Sequence, residues 1–125
     1  MPDPTDSTDP SQLTDATGAP VTVHLTTDGD AYGIWLDDRD APVGRAWFID
    51  HDGDRIFHHT VVDDEFGGRG LAGALVRAAL EDTRSRGLTV VPVCPYVQAW
   101  IPKHDWDGPV RRPTGTDLAI VEEQA

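Results

Sequence analysis

The chain carries one cysteine, Cys94, directly before Pro95 and at the end of the apolar run 88–93 (LTVVPV). Pro95 suits the first position of a helix, where its missing N–H is unpaired in any case. A thiol at that place is favoured as a thiolate by the helix dipole and is fit to act as a nucleophile. The competing reading is a small buried hydrophobe, the usual fate of a free cysteine. His58 and His59 are neighbours in an alternating stretch and are expected on opposite faces of one strand. A histidine near Cys94 could act as a base or activate the thiol; otherwise both are polar strand residues.

A third feature is the turn Gly67-Gly68-Arg69-Gly70-Leu71-Ala72. The first N–H groups of a helix lack intrahelical partners, and glycines let a backbone approach an anion closely, so such a turn binds phosphate. Arg69 would add a positive charge. The turn has neither the Lys-Ser/Thr of a nucleotide P-loop nor the acidic residue of a dinucleotide fingerprint. The alternative is a plain strand-to-helix turn. Tyr96 and Trp100, four apart, share a helix face and either pack in the core or line a ligand channel. Lys103 and His104 at the end of that helix either reach an anion or complement the dipole. Asp50-His51-Asp52 has metal-ligand types but lies in a hairpin turn without a second ligand set, so no metal is expected.

These residues need elements to position them. Val21, Val23 and Leu25 alternate with polar residues as in a short strand. Strands are then expected at 31–36, 42–50 and 55–62, separated by the turn signals Asp28-Gly29-Asp30, Asp37–Asp40 and Asp52-Gly53. Short turns between successive strands make an antiparallel meander. Leu71, Leu75, Val76, Ala79 and Leu80 follow at helical spacing, with Arg77 and Glu81 placed to pair and Gly87 as the C-terminal stop. The run 88–93 is then a strand parallel to 55–62, completing a βαβ unit. A short helix follows from Pro95. Residues 116–124 suit helix or strand equally. The expected fold is α+β: a meander, then a βαβ unit, with two main helices.

The 125 residues make one domain. Residues 1–19 are rich in Pro, Asp, Ser and Thr and read as a disordered acidic tail. Residues 20–104 form the domain, and 105–125 an extension of open structure. The net charge of −12 argues against nucleic acid, whose binding rests on Lys and Arg at phosphates. The charge is uneven, however. Residues 66–112 hold seven basic residues (Arg69, Arg77, Arg84, Arg86, Lys103, Arg111, Arg112) against four acidic ones (Glu81, Asp82, Asp105, Asp107). No apolar run is long enough for a membrane span, and no secretory signal is visible, so a cytoplasmic location is expected.

The sequence resembles the GNAT superfamily of acetyl-CoA-dependent N-acetyltransferases, in particular its short single-domain members. The resemblance covers about residues 30–104. It is carried by His59-Thr60-x-Val62, by Glu65-Phe66-x-Gly68-Arg69-Gly70-Leu71-Ala72-x-x-Leu75-Val76, by Val90-Val91-Pro92-x-Cys94-Pro95-Tyr96-Val97, and by Trp100 with Lys103-His104. It implies a mixed sheet that splays after strand 55–62 to admit the pantetheine arm. It implies further that the backbone of Gly68, Arg69, Gly70, Leu71 and Ala72 binds the CoA pyrophosphate, with Val62, Tyr96, Trp100 and Lys103 also at the cofactor. Cys94 and His59 are then the candidate catalytic residues. Larger relatives carry acceptor-binding helices between the first two strands, and here Leu25 to Ala31 leaves no space for them. The implied activity is transfer of acetyl to an unidentified amine by a monomer or homodimer. A CoA-binding module without efficient turnover, or a small protein–protein interaction domain, is the alternative.

Overall fold

The computed structural model describes residues 13–14, 20–36, 40–63 and 70–124. Six strands form one sheet in sequence order: β1 (Leu13–Thr14), β2 (Pro20–Leu25), β3 (Ala31–Leu36), β4 (Gly44–His51), β5 (Asp54–Val62) and β6 (Thr89–Pro92). Helices α1 (Leu71–Ser85), α2 (Pro95–Lys103) and α3 (Gly115–Gln124) complete the chain. The strands are antiparallel through β5, and β6 joins β5 in parallel. The meander and the βαβ unit are thus the α+β arrangement expected from the sequence. Within the stretch read as a tail, Leu13 and Thr14 pair with Val21 and Pro20; the remainder of 1–19 lies outside the described residues.

Local chemistry accounts for the turns. Asp52 and Gly53 both take positive φ (51° and 82°), the pairing of a tight hairpin whose twist matches its strands. The end of α1 is a Schellman motif: the Leu88 N–H bonds to the Thr83 carbonyl and the Gly87 N–H to that of Arg84. The apolar stripe of α1, Leu71, Leu75, Val76, Ala79 and Leu80, is buried against Tyr32, Ile34, Phe48 and Phe57 of the sheet and Val97 and Trp100 of α2. The expected Arg77–Glu81 pair gives way to tertiary partners. The Arg77 guanidinium sits 5.1 Å from the Trp100 ring centroid, and Glu81 accepts the Trp106 indole N–H at 2.8 Å.

Between β3, β5 and α1 lies a charged knot. Arg55, only 5% exposed, forks Asp50 (2.7 and 2.9 Å), donates to the Tyr32 hydroxyl (2.6 Å) and lies over the Phe48 ring at 4.0 Å. Tyr32 in turn donates to Asp82 of α1.

The C-terminal extension, left open by the sequence, is structured. Val110 bridges Val90 in parallel beside β6. Arg111 then holds Asp54 at the start of β5 (2.8 Å) and Asp117 of α3 (2.9 Å). Thr114 and Asp117 cap α3 reciprocally: the Thr114 N–H donates to the Asp117 carboxylate at 2.7 Å, and the Asp117 N–H to the Thr114 hydroxyl at 3.4 Å. The Arg111 fork, aided by Thr114 and opposed by burial, holds the Asp117 carboxyl well below the usual carboxylate range. A carboxyl with a depressed folded pKa stabilises above its unfolded value, about 3.9, and that contribution is lost as pH falls below it. Protection of the α3 amides from exchange is therefore expected to hold from neutrality to about pH 4 and to decline below it, before that of α1. Asp117→Asn should lower α3 protection at neutral pH and flatten this dependence. Equal protection in the variant and the natural chain at pH 7 would refute the assignment.

Candidate functional site

β5 and β6 pair only as far as Phe57 and Pro92. There the Phe57 carbonyl accepts two N–H groups, those of Val93 (2.9 Å) and Cys94 (2.8 Å). The chain after Cys94 turns into α2, while β5 continues to Val62 without β6 beside it. A gap opens between the two strands, as the resemblance implied.

The side chains at this gap come from both elements. Cys94 is 4% exposed and is the N-cap residue of α2. Its Sγ lies 3.5 Å from the Thr60 hydroxyl across the gap. Val62, half-buried, packs on the core at the end of β5. Tyr96, 41% exposed, and Trp100, buried, both face the first turn of α1: a methyl built on Gly73 would lie 3.7 Å from the Tyr96 hydroxyl and 3.8 Å from the Trp100 indole nitrogen. Partial burial pushes the Tyr96 phenol up from its ordinary pKa. Lys103 is exposed at the last turn of α2, and the His104 ring stacks on Trp100 at 4.4 Å.

The gap faces the start of α1. Gly70, the N-cap, is left-handed (φ 73°, ψ 16°), which glycine adopts without steric cost. Among the described residues no side chain caps this end, and no acidic residue stands in the first turn. The first intrahelical bond runs from Ala74 N–H to Gly70 O at 3.1 Å, so the N–H groups of Leu71, Ala72 and Gly73 precede it. The Leu71 side chain is buried in the core and Ala72 is half-buried, leaving their backbone to serve an anion. An uncapped helix start beside parted strands fits the phosphates and arm of a CoA-type ligand. Gly68 and Arg69 lie outside the described residues.

The histidines follow a different geometry from the one expected. A β-bulge falls between Trp47 and Phe48 of β4: Trp47 pairs with His59, and Phe48 with Phe57, so His58 is the extra residue. Ala46 and Phe48 share a face by alternation and are buried towards α1, and their partners Thr60 and Phe57 share that face. His58 and His59, between them, both turn to the opposite face. The expectation that adjacent histidines point to opposite sides is therefore corrected by the bulge. The backbone of β5 thus separates the His59 ring from the thiol, whose contact is Thr60. His59 is exposed, with its ring 5.4 Å from that of Trp47.

The two histidines border an open cleft of about 740 Å³, lined also by Gly29, Asp30, Trp47, Ile49 and, from the end of α3, Gln124; Phe48 and Asp50, whose side chains turn to the α1 face, complete its border. Burial, and then the neighbouring His59, lower the pKa of His58 below 6.5, against the opposing charge of Asp30. His58 is therefore neutral at pH 7 and able to accept a proton. The sequence pointed to His59, not to His58; the bulge that presents both depends on strand pairing.

Among the described residues no group of His, Cys, Asp and Glu is placed to hold a metal, and no helix is long and apolar enough to cross a membrane. A family model described as GCN5-related N-acetyl-transferase matches residues 31–108. The NMR solution structure of a GCN5-like protein from Staphylococcus aureus has a similar fold, with a TM-score of 0.55 and 21% identity over 74% of this chain and 90% of that one. No curated protein matches the chain.

Proposed function

Because the chain belongs to the family of GCN5-related N-acetyltransferases, we propose that it moves an acetyl group from acetyl-CoA to an amine at the gap between β5 and β6. The observation that carries this reading is the parting of the strands after Phe57, with the uncapped start of α1 at one side and the histidine cleft on the other face of the same segment of β5. The backbone of Gly70, Leu71 and Ala72 holds the pyrophosphate, joined by Gly68 and Arg69 of the same turn. Val62, Tyr96 and Trp100 flank the arm, and Lys103 stands near its phosphates. Bound acetyl-CoA supplies a thioester, whose carbonyl carbon accepts the amine lone pair and whose sulfur leaves with the C–S electron pair. His58, neutral at pH 7, takes the proton that the attacking amine loses. His59 keeps the His58 charge down and stands tilted against Trp47 at the mouth. Cys94 and Thr60 line the acyl end from the α1 side.

A second reading is favoured by the N-cap position of Cys94. There the Cys94 sulfur attacks first: an S–acetyl bond forms on Cys94 as the thioester C–S bond breaks, and the cysteine proton passes to the departing sulfur, so that CoA leaves as the thiol. The amine then attacks the acetyl-cysteine, with His59 or His58 as its base. Intact-mass measurement after incubation with acetyl-CoA separates the two. An acetyl adduct lost in Cys94→Ala supports the second reading, and undiminished turnover by Cys94→Ala refutes it.

Calorimetry with CoA tests the cofactor site. Natural protein should bind, and Gly70→Asp should weaken binding at least about tenfold, since it strains a left-handed position and puts a carboxylate where phosphate is held. Absence of binding at millimolar CoA to protein shown to be folded would overturn the proposal. Binding without transfer to any amine would leave a CoA-binding module in its place.

A further inference from the structure

The C-terminal helix lies outside the matched residues 31–108, and the transfer reading above gives it no task. Its placement is nevertheless specific. Arg55 meets Tyr32 and Asp82 on the α1 face, so Ile56, the next residue, points to the other face, and so does its register partner Val91. Both are fully buried. The face that carries the cleft is therefore covered at its β6 side, and the chain there is the extension pinned by Arg111 to Asp54 and Asp117. The far end of α3 contributes Gln124 to the cleft beside His58 and His59.

The chemistry of the cleft is one-sided. Its lining holds Asp30, the Trp47 ring and two histidines, and among the described residues no lysine or arginine. Asp50 also borders the cleft, but Arg55 holds its carboxylate on the α1 face, so Asp30 is the carboxylate that a bound cation would meet. Asp30 is exposed in the β2–β3 turn, close enough for its charge to act on His58. An aromatic face beside a carboxylate suits an ammonium group, through attraction to the ring's negative face and direct pairing. A volume of about 740 Å³ suits a small molecule.

We infer that this cleft is the acceptor site, that it takes a small amine carrying a second positive charge, and that α3 is its wall, with Gln124 facing the acceptor. The inference rests on the acetyl-transfer reading for the word acceptor. The site itself is testable without turnover. Asp30 holds the distal ammonium, and the amine to be acetylated lies toward His58 and the gap. Gln124 supplies a neutral polar contact, where a cation would repel the ligand.

The test is a titration of the full chain with 1,4-diaminobutane, followed by amide and side-chain NMR shifts, with glutamate as the anionic comparison. Shifts are expected at the Trp47 indole, His58, His59 and the Gln124 side-chain amide, with none of comparable size from glutamate. Asp30→Asn and Gln124→Lys should each weaken the diamine about fivefold, the size of one partly screened charge interaction. Both positions are exposed, so neither variant threatens the fold. Absence of diamine shifts at these residues, equal binding of glutamate, or affinity unmoved by Asp30→Asn overturns the cationic site. Affinity unmoved by Gln124→Lys overturns the role of α3. Failure of acetyl transfer from acetyl-CoA to the bound diamine would instead strike the enzymatic reading, leaving the cation site standing.

Discussion

His58→Gln should lower kcat by about 10²–10³-fold while leaving CoA affinity unchanged, since a positioned general base contributes roughly that much. The residue sits at the bulge in β5 and lines the cleft, and burial and His59 hold its pKa below 6.5. The base must be neutral to act. Activity in the natural protein should therefore fall as pH drops through that lowered pKa, and be flat above it until another group titrates. The glutamine variant should lose this acid limb together with its rate. His59→Gln removes one cause of the low pKa, so the limb should move upward in pH with a much smaller loss of kcat. The decisive measurement is the pair of kcat/KM profiles between pH 5 and 8. An unchanged rate in His58→Gln, or an acid limb that persists there, would remove His58 from the reaction. A large loss confined to His59→Gln would move the base to the other ring.

The largest effect on stability is expected at Arg55. Arg55→Met keeps a long apolar stem but deletes the fork to Asp50, the bond to Tyr32 and the charge over Phe48. Breaking a fully buried ion pair costs about 3–5 kcal/mol. Asp50 and Asp82 keep part of their hydration, with side chains 50% and 35% exposed, which discounts that figure. A loss of about 3 kcal/mol is therefore expected, a large fraction of the 5–15 kcal/mol that ordinary domains possess. Denaturant unfolding checks it, and a loss under about 1 kcal/mol would mean that the knot is structurally idle. The knot has a pH signature too. Burial and the bond to Asp82 push the Tyr32 phenol up to about 12. A folded pKa raised above the unfolded value of about 10 stabilises fully below that value, and the contribution is lost as pH rises from there toward the folded pKa. Tyr32→Phe should remove this alkaline loss.

Much of the fold was legible in the sequence because its signals are local. Asp52-Gly53 announced a hairpin, and Leu71 to Leu80 a helix that Gly87 ends. The apolar run before Cys94-Pro95 announced a strand feeding a second helix. In the C-terminal extension a signal was present but short. Thr114-x-x-Asp117 is a capping pattern, yet the low amphipathicity of 115–124 left helix and strand level. The glycine turn could be read as an anion site, and the structure adds an uncapped first turn at Gly70 for the residues it describes.

The sequence by itself determined the order and type of the main elements, the resemblance carried by the glycine turn and Cys94-Pro95, and the uneven charge. Turn chemistry, hydrophobic period and helix ends act within a few residues, and these features rest on them. Only the tertiary structure decided that β5 carries a bulge, because a bulge is a mismatch between two strands and has no mark in either alone. That mismatch turned His58 and His59 to one face and left Cys94 with Thr60. Only the tertiary structure, likewise, joined Arg111 to Asp54 across 57 positions and brought α3 to the cleft. Such pairings depend on which distant surfaces the packed core brings into contact, and no local pattern carries that information.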